Sequence, residues 1–153
     1  MDRLDAKLLH LLADEPRIGV LEASRRLRVA RGTVQARLDK LTSGGVIRGW
    51  GPSLDPAAMD HPVTAFLTLE IRQDPDFGAH DAIGQALARI PEVLEACTIT
   101  GPGDMWCRVV ARSNTDLQRV IDAVLSIPGI FRSSTVIALA TQVPYRVLPA
   151  LGT

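Results

Sequence analysis

The sequence predicts an α+β protein, with an N-terminal winged helix-turn-helix and a C-terminal ferredoxin-like domain of order β-α-β-β-α-β. Two patterns predict this fold class. Residues 21–43 contain two short helical segments separated by a tight turn, and a helix stopped by proline and followed by a strand occurs twice, 37 residues apart. A stretch punctuated by prolines separates the two patterns. The expected boundaries are 1–51 for the first domain, 52–62 for a linker and 63–153 for the second domain.

The first domain is expected to contain three helices and a wing. Residues 2–14 form the first helix, because four leucines recur on one of its sides. The other two helices are expected near 20–27 and 31–43, and a Gly-Gly pair ends the last one because glycine takes the left-handed cap at no steric cost. Residues 46–50 read as a short strand, which would begin a β-wing.

The third helix has the composition of a helix that lies in a DNA major groove. Val34, Leu38 and Leu41 form its apolar face at positions i, i+4 and i+7. We place arginine and glutamine for base edges, and threonine and lysine for phosphates, on the opposite side. With two flanking arginines, the candidate DNA-binding residues are Arg28, Arg31, Thr33, Gln35, Arg37, Lys40 and Arg48.

Charge supports this interpretation. Residues 17–48 contain eight basic and two acidic side chains, a local charge of +6 in a chain whose formal net charge is zero. A basic footprint on a neutral protein is typical of a phosphate-binding module. The alternative is that these charges only form the solvated face of a two-helix unit.

The second domain is predicted from two strand–helix–strand repeats. Residues 63–71 and 105–112 alternate between apolar and polar side chains, as strands with one buried face do. Amphipathic helices follow each strand, and right-handed crossovers leave few topologies other than the ferredoxin-like one. Helices cover one face of such a sheet. We expect Phe66, Trp106 and Val110 on the open face, where large apolar side chains indicate a dimer interface; the alternative is scattered exposed apolar residues.

The loop Gly101-Pro102-Gly103-Asp104, together with Thr100, has residues that could form a ligand site. Its glycines let the backbone approach a ligand, and its free amides can hold a carboxylate. Asp104 would then hold an α-ammonium group, so that an amino acid is bound at both ends. The alternative is an ordinary hairpin turn, in which glycine and aspartate are common.

Several motifs, in order along nearly the whole chain, resemble the Lrp/AsnC family of transcription regulators. The matching segments are Met1–Asp5, Asp14–Arg17, Thr33-Val34 with Arg37 and Leu41, Gly45–Ile47, Pro91–Val93, Thr100–Asp104 and Ile127–Ile130. The resemblance implies a winged helix-turn-helix joined to a ferredoxin-like effector domain, called the RAM or AsnC-type domain. It also implies a homodimer that assembles to tetramers or octamers and binds a small-molecule effector, often an amino acid, between dimers. Ser133 and Thr135 match family positions whose hydroxyls line that pocket.

The chain departs from the family pattern in four places. Ala30 stands where the family usually has a serine that caps the recognition helix, and Arg28 stands where it usually has glycine in the turn. Gly32 lies inside the recognition helix, where glycine costs up to about 1 kcal/mol against alanine. The residue before Asp104 is Gly103, where the family prefers an aromatic side chain.

Other function classes find little support in the sequence. No apolar run approaches the roughly 18 residues of a membrane span, and the N-terminus has no signal-peptide core, so we expect a cytoplasmic protein with no membrane partner. We expect no metal, no cofactor and no enzymatic activity, since the sequence has no metal-ligand cluster and no paired nucleophile and base. If Thr100 pairs with Asp104, Cys97 lies opposite Cys107, but a cytoplasmic protein normally keeps both thiols reduced. The expected function is a sequence-specific regulator that binds double-stranded DNA; the alternative is an architectural DNA-binding protein without an effector.

Overall fold

A computed structural model describes residues 1–72 and 80–151 of the chain. Their contacts divide the chain into two units. The first comprises Met1–Ser53 together with the segment that begins at Val143, and the second comprises Leu54–Gln142. Of the predicted second domain, residues 63–153, residues 73–79 and 152–153 lie outside the described part. The chain after Gln142 instead groups with the first unit, where a short 3-10 helix, Leu148–Leu151, packs against the first helix.

The first unit contains the three predicted helices, α1 (Arg3–Asp14), α2 (Val20–Leu27) and α3 (Arg31–Ser43). Asp2 and Asp5 form a reciprocal capping box at the start of α1. Each helix contributes to one small buried core made of Leu8, Ala23, Val34 and Leu41.

The turn between α2 and α3 depends on Arg28. This residue ends α2 with φ of 56°, in the left-handed region, and its N–H bonds to the Arg25 and Ser24 carbonyls. An arginine here pays a conformational cost that glycine would not.

The expected wing strand over residues 46–50 is not formed. The N–H groups of Val46 and Ile47 both bond to the Leu41 carbonyl, so this segment folds back on the end of α3. A strand needs a neighbour to accept its hydrogen bonds, and residues 46–50 are assigned to no strand.

The second unit has the predicted order of strands and helices. Its elements are β1 (Val63–Ile71), α4 (His80–Leu87), β2 (Val93–Thr98), β3 (Met105–Ala111), α5 (Asn114–Leu125) and β4 (Ile130–Ile137). A 3-10 helix, Ala57–Met59, precedes β1 in the predicted linker. The strands form one antiparallel sheet in the order β2-β3-β1-β4.

The helices cover one face of this sheet, as predicted. Ala65, Leu67 and Leu69 on β1 are fully buried in a core that also includes Ile83 of α4 and Val120 of α5. The alternate side chains of β1 and β3 point to the other face.

The predicted pairing of the two cysteines is wrong by one residue. The β2–β3 hairpin closes with the Ile99 N–H bonded to the Asp104 carbonyl, so Ala96 lies opposite Cys107 and Cys97 lies opposite Trp106. Cys107 is therefore on the helix side, where burial, followed by the nearby Cys97, raises the pKa of its thiol to about 11. Cys97 is exposed on the other face.

Candidate functional site

Helix α3 presents most of the predicted DNA-binding side chains to the outside of the first unit. Arg31 and Gln35 are exposed, Thr33 is half-buried, and Arg28 and Arg48 are exposed on either side of the helix. Val34 and Leu41 are buried, which fixes the opposite side of the helix on the core.

Gln35 is held in place by a residue that sequence reasoning did not single out. Its side-chain nitrogen donates to Asp39 Oδ1 at 2.8 Å, one helical turn further on. The amide keeps its second N–H and its carbonyl oxygen, which are the donor and acceptor that an adenine edge requires. The i, i+4 spacing of a glutamine and an aspartate was the available signal for this pair.

Arg37 does not lie opposite the apolar face. It follows Val34 by three residues and precedes Leu41 by four, so it shares their side of the helix. Its Nη1 donates to Asp5 Oδ1 at 2.9 Å and also to Asp2, and only 28% of its side chain is exposed. The predicted orientation was therefore wrong.

Lys40 shares the same carboxylate. Its Nζ lies 3.2 Å from Asp5 Oδ2, although 60% of its side chain remains exposed. The Asp2 N–H, followed by Arg37 and Lys40, lowers the pKa of Asp5 to about 2 against the opposing effect of burial. The hydrogen bonds that Arg37 donates to Asp2 and then to Asp5 raise the pKa of its guanidinium.

The glycine loop of the second unit joins β2 to β3 and closes against β1. Gly101 and Gly103 both have positive φ, 100° and 89°. A Cβ on Gly103 would lie 2.3 Å from Cγ2 of Thr68, so only glycine fits there. Thr100, Gly101 and Pro102 are exposed.

Asp104 already has a partner in the protein. Its Oδ2 accepts from the Ile71 N–H at 2.7 Å, and its own N–H donates to the Leu69 carbonyl at 2.8 Å. The carboxylate expected to hold an ammonium group therefore also fastens the loop to the end of β1.

Ser133 and Thr135 lie on the helix side of the edge strand β4, half-buried, opposite Leu69 and Leu67 of β1. Asp104 bonds to Leu69 from the other side of β1, so it lies two strands, about 10 Å, from Ser133. The structure thus brings the predicted effector residues to one end of the sheet, with Thr135 two residues further along β4.

The open face carries an aromatic stack. The rings of Phe66 and Trp106 lie 5.4 Å apart at 17°, and the Arg108 guanidinium lies 5.9 and 5.8 Å from their centroids. Val110 is on the same face, with 5% of its surface exposed. Sequence reasoning placed the three apolar residues together but missed Arg108, which also lies 3.5 Å from Glu95.

Within residues 1–72 and 80–151, no group of three or more His, Cys, Asp or Glu side chains could hold a metal ion. The part of the chain described by the structure also has no helix long and apolar enough to span a bilayer.

Comparison with known proteins connects both units to one family. Residues 1–42 match the AsnC-type helix-turn-helix domain, and residues 64–148 match the Lrp/AsnC ligand binding domain. The HTH-type transcriptional regulator FL11 of Pyrococcus horikoshii is 28% identical over 97% of this chain and 96% of its own length. An uncharacterized HTH-type transcriptional regulator of Pyrococcus furiosus is 31% identical over 91% of each chain.

Solved structures agree in fold over nearly the whole chain. Escherichia coli AsnC superposes with a TM-score of 0.86 at 25% identity, covering 97% of this chain and 99% of that one. A transcriptional regulator from Neisseria meningitidis, solved in complex with L-Met, gives a TM-score of 0.83 at 23% identity, covering 99% of both chains. The two domain matches occur in the expected order along the chain. The curated relatives are transcriptional regulators rather than enzymes. This chain therefore belongs to the Lrp/AsnC family of transcriptional regulators.

Proposed function

We propose that this regulator binds double-stranded DNA sequence-specifically through α3, and that a small effector, an amino acid, bound near the glycine loop changes its DNA affinity or its oligomeric state. Arg31, Thr33 and Gln35 would face the major groove. Arg28 and Arg48 would lie nearest the phosphates.

The observation that carries the DNA proposal is the outer face of α3. Arg31 is exposed at the first position of the helix, one turn before Gln35, whose amide is fixed by Asp39. Arginine reads guanine and glutamine reads adenine by paired hydrogen bonds in the major groove. A glutamine with a fixed amide loses less conformational entropy when it binds.

The effector proposal rests on the end of the sheet where the glycine loop, Ser133 and Thr135 lie. Two glycines adopt positive φ, a conformation in which backbone amides can hold a carboxylate, and the hydroxyls of β4 add donors and acceptors. The match to a ligand-binding domain and the L-Met complex of the Neisseria regulator support an amino acid as the ligand class.

Phe66 and Trp106 would form the dimer interface on the open face, whereas Val110, which was also expected there, is already buried within the chain. Two-fold symmetry would then present two copies of α3 to successive turns of DNA, about 34 Å or a multiple apart. Effector binding at a contact between dimers would change how many copies of α3 engage one DNA segment, by the ligand's difference in affinity for the two assemblies.

DNA binding is tested by fluorescence anisotropy on the DNA upstream of the protein's own gene. The double variant Arg31→Ala/Gln35→Ala should lose at least about tenfold in affinity and relax the sequence preference, since one base-reading contact is worth about 1–3 kcal/mol. The matched control is Gln85→Ala/Arg89→Ala, which removes the same two residue types from exposed positions in the second unit. Equal affinities for the two double variants would contradict the assignment of α3.

The effector is tested by calorimetry with each common amino acid at millimolar concentration. Ser133→Ala should weaken binding of the responding amino acid. Ser134→Ala, its neighbour on the same strand but the opposite face, should not. If no amino acid produces heat or changes DNA affinity, the second unit serves only in assembly and the protein is an architectural DNA-binding protein.

A further inference from the structure

Asp5 has the least exposed carboxylate in the first unit, with none of its side chain exposed to solvent. Both of its oxygens are engaged. Oδ1 accepts from Arg37 at 2.9 Å, and Oδ2 accepts from the Asp2 N–H at 3.0 Å and from Lys40 at 3.2 Å. One residue of α1 therefore bonds to its own helix cap and to two cations of α3.

We propose that Asp5 is a positioning residue for DNA binding, which fixes the rotation of α3 against α1 and holds Arg37 and Lys40 as internal partners rather than phosphate contacts. This inference rests on the proposed role of α3 as the DNA-reading helix.

The geometry supports positioning because the two contacts lie along α3. Arg37 and Lys40 are three residues apart, so they point to the same side of the helix about 4.5 Å apart along its axis. Charged hydrogen bonds at two levels of α3 resist both its rotation and its sliding, and they act in addition to the packing of the hydrophobic core.

The size of the effect follows from the helix radius. Side-chain tips lie about 5–6 Å from the helix axis, so a rotation of about 20° moves Arg31 and Gln35 by about 2 Å. Hydrogen bonds to base edges tolerate only a few tenths of an ångström. A modest rotation of α3 would therefore break base contacts while leaving the unit folded.

The inference can be tested by whether DNA affinity rises or falls when the negative charge of Asp5 is removed. Asp5 and Asp2 offset the charges of Arg37 and Lys40 within the basic region. If the two cations contacted phosphates, removing the carboxylate would release them and strengthen DNA binding. If Asp5 positions α3, the same change weakens binding although the unit becomes more basic.

The experiment measures DNA affinity of the full chain by anisotropy from 50 to 300 mM KCl, at a temperature where circular dichroism shows each variant folded. The variants are Asp5→Asn, Arg37→Gln, Arg37→Lys, Arg31→Gln as the base-reading reference and Arg48→Gln as the phosphate-contact reference, with Asp14→Asn as the control. Asp14 is an exposed carboxylate at the other end of α1, so its removal changes charge without touching α3.

We expect Asp5→Asn and Arg37→Gln to lower affinity at least tenfold at every salt concentration, with the slope of log K against log [KCl] unchanged. Arg48→Gln should lower the magnitude of that slope by about 0.9, the contribution of one phosphate that Arg48 would neutralise. Arg37→Lys, which keeps a cation for Asp5, should recover part of the affinity. Asp14→Asn should bind as tightly as the natural protein or slightly more tightly.

Two results would overturn the positioning role. The first is an Asp5→Asn variant that binds DNA as tightly as Asp14→Asn does. The second is an Arg37→Gln variant that reduces the salt slope as much as Arg48→Gln does. Failure of the proposed function looks different, because Arg31→Gln would then bind like the natural protein. If Asp5→Asn does not fold, the DNA affinity and the salt slope of Arg37→Gln test the positioning role without it.

Discussion

At the scale of single residues, Gly103 is the position where the backbone leaves no room for a side chain. Its φ is 89°, and a Cβ would lie 2.3 Å from Thr68 Cγ2 and 3.3 Å from the Leu69 carbonyl oxygen. We expect Gly103→Ala to destabilise the second unit by about 1–3 kcal/mol, the cost of a non-glycine residue in a strained conformation, plus the clash. Chemical denaturation measures this loss.

The control for Gly103 is Gly84, which lies inside α4 with no atom within 4 Å of a Cβ built on it. Gly84→Ala should stabilise the protein by up to about 1 kcal/mol, because alanine loses less backbone entropy in a helix. Equal effects of the two substitutions would mean that the loop adapts to a side chain at residue 103.

The lowered pKa of Asp5 predicts that the free energy of unfolding depends on pH. The Asp2 N–H, Arg37 and Lys40 lower the pKa of Asp5 to about 2 in the folded protein, below its ordinary value of 3.8. The stabilisation is therefore complete above about pH 4 and is lost as the pH falls from 4 toward 2. Denaturation midpoints of the natural protein and Asp5→Asn should converge over this range; a constant difference between them would show that the charge of Asp5 is not what stabilises the unit.

At the scale of elements, α3 lacks two features that stabilise helices. Its N-cap, Ala30, makes no side-chain hydrogen bond to the first turn, and Gly32 occupies the second helical position with open space around it. Ala30→Ser should stabilise the first unit by about 0.5–2 kcal/mol by capping a free N–H, and Gly32→Ala by up to about 1 kcal/mol. Scanning calorimetry measures both, and unchanged unfolding temperatures would mean that packing alone determines the stability of α3.

The elements that the sequence predicted well are those with a local pattern. β1 was predicted from residue 63 to residue 71 because its side chains alternate over nine positions. The prediction of a wing strand over residues 46–50 was wrong because a strand must pair with a second strand, and the sequence of this segment does not indicate one. The predicted pairing of Cys97 with Cys107 was wrong because the hairpin closes at Ile99 rather than at Thr100. The loop between its strands contains two glycines with positive φ.

The candidate sites were predicted less completely, because they depend on contacts between distant residues. The composition of α3 predicted that Arg31 and Gln35 are exposed, which the structure confirms, but the orientation of Arg37 is set by Asp5, which lies 32 residues away. The glycines before Asp104 led to its prediction as an effector residue, whereas its bond to Ile71 joins segments that are distant in sequence. The spacing of residues along one helix or strand cannot predict that Arg37 bonds to Asp5 or that Asp104 bonds to Ile71.

At the scale of the whole molecule, the open sheet face predicts self-association. Phe66 and Trp106 stack on the face opposite the one that α4 and α5 cover, and we expect the natural protein to sediment as a dimer or larger assembly at micromolar concentration. Phe66→Ser/Trp106→Ser should shift it toward monomer and weaken DNA binding. Leu139→Ser removes an exposed apolar side chain beyond β4 and should leave the assembly intact. Monomeric natural protein would refute the interface.

The first unit is assembled from two separate stretches of chain, since Leu148–Leu151 packs on α1 after the whole sheet has intervened. A chimaera that fuses residues 1–53 to the ligand-binding half of another regulator would therefore put foreign side chains against α1. Exchange of DNA specificity between such proteins should work better when both stretches are transplanted together. The DNA-binding unit of this regulator is encoded by two separate segments of its gene, so recombination at a single point cannot transfer both segments together.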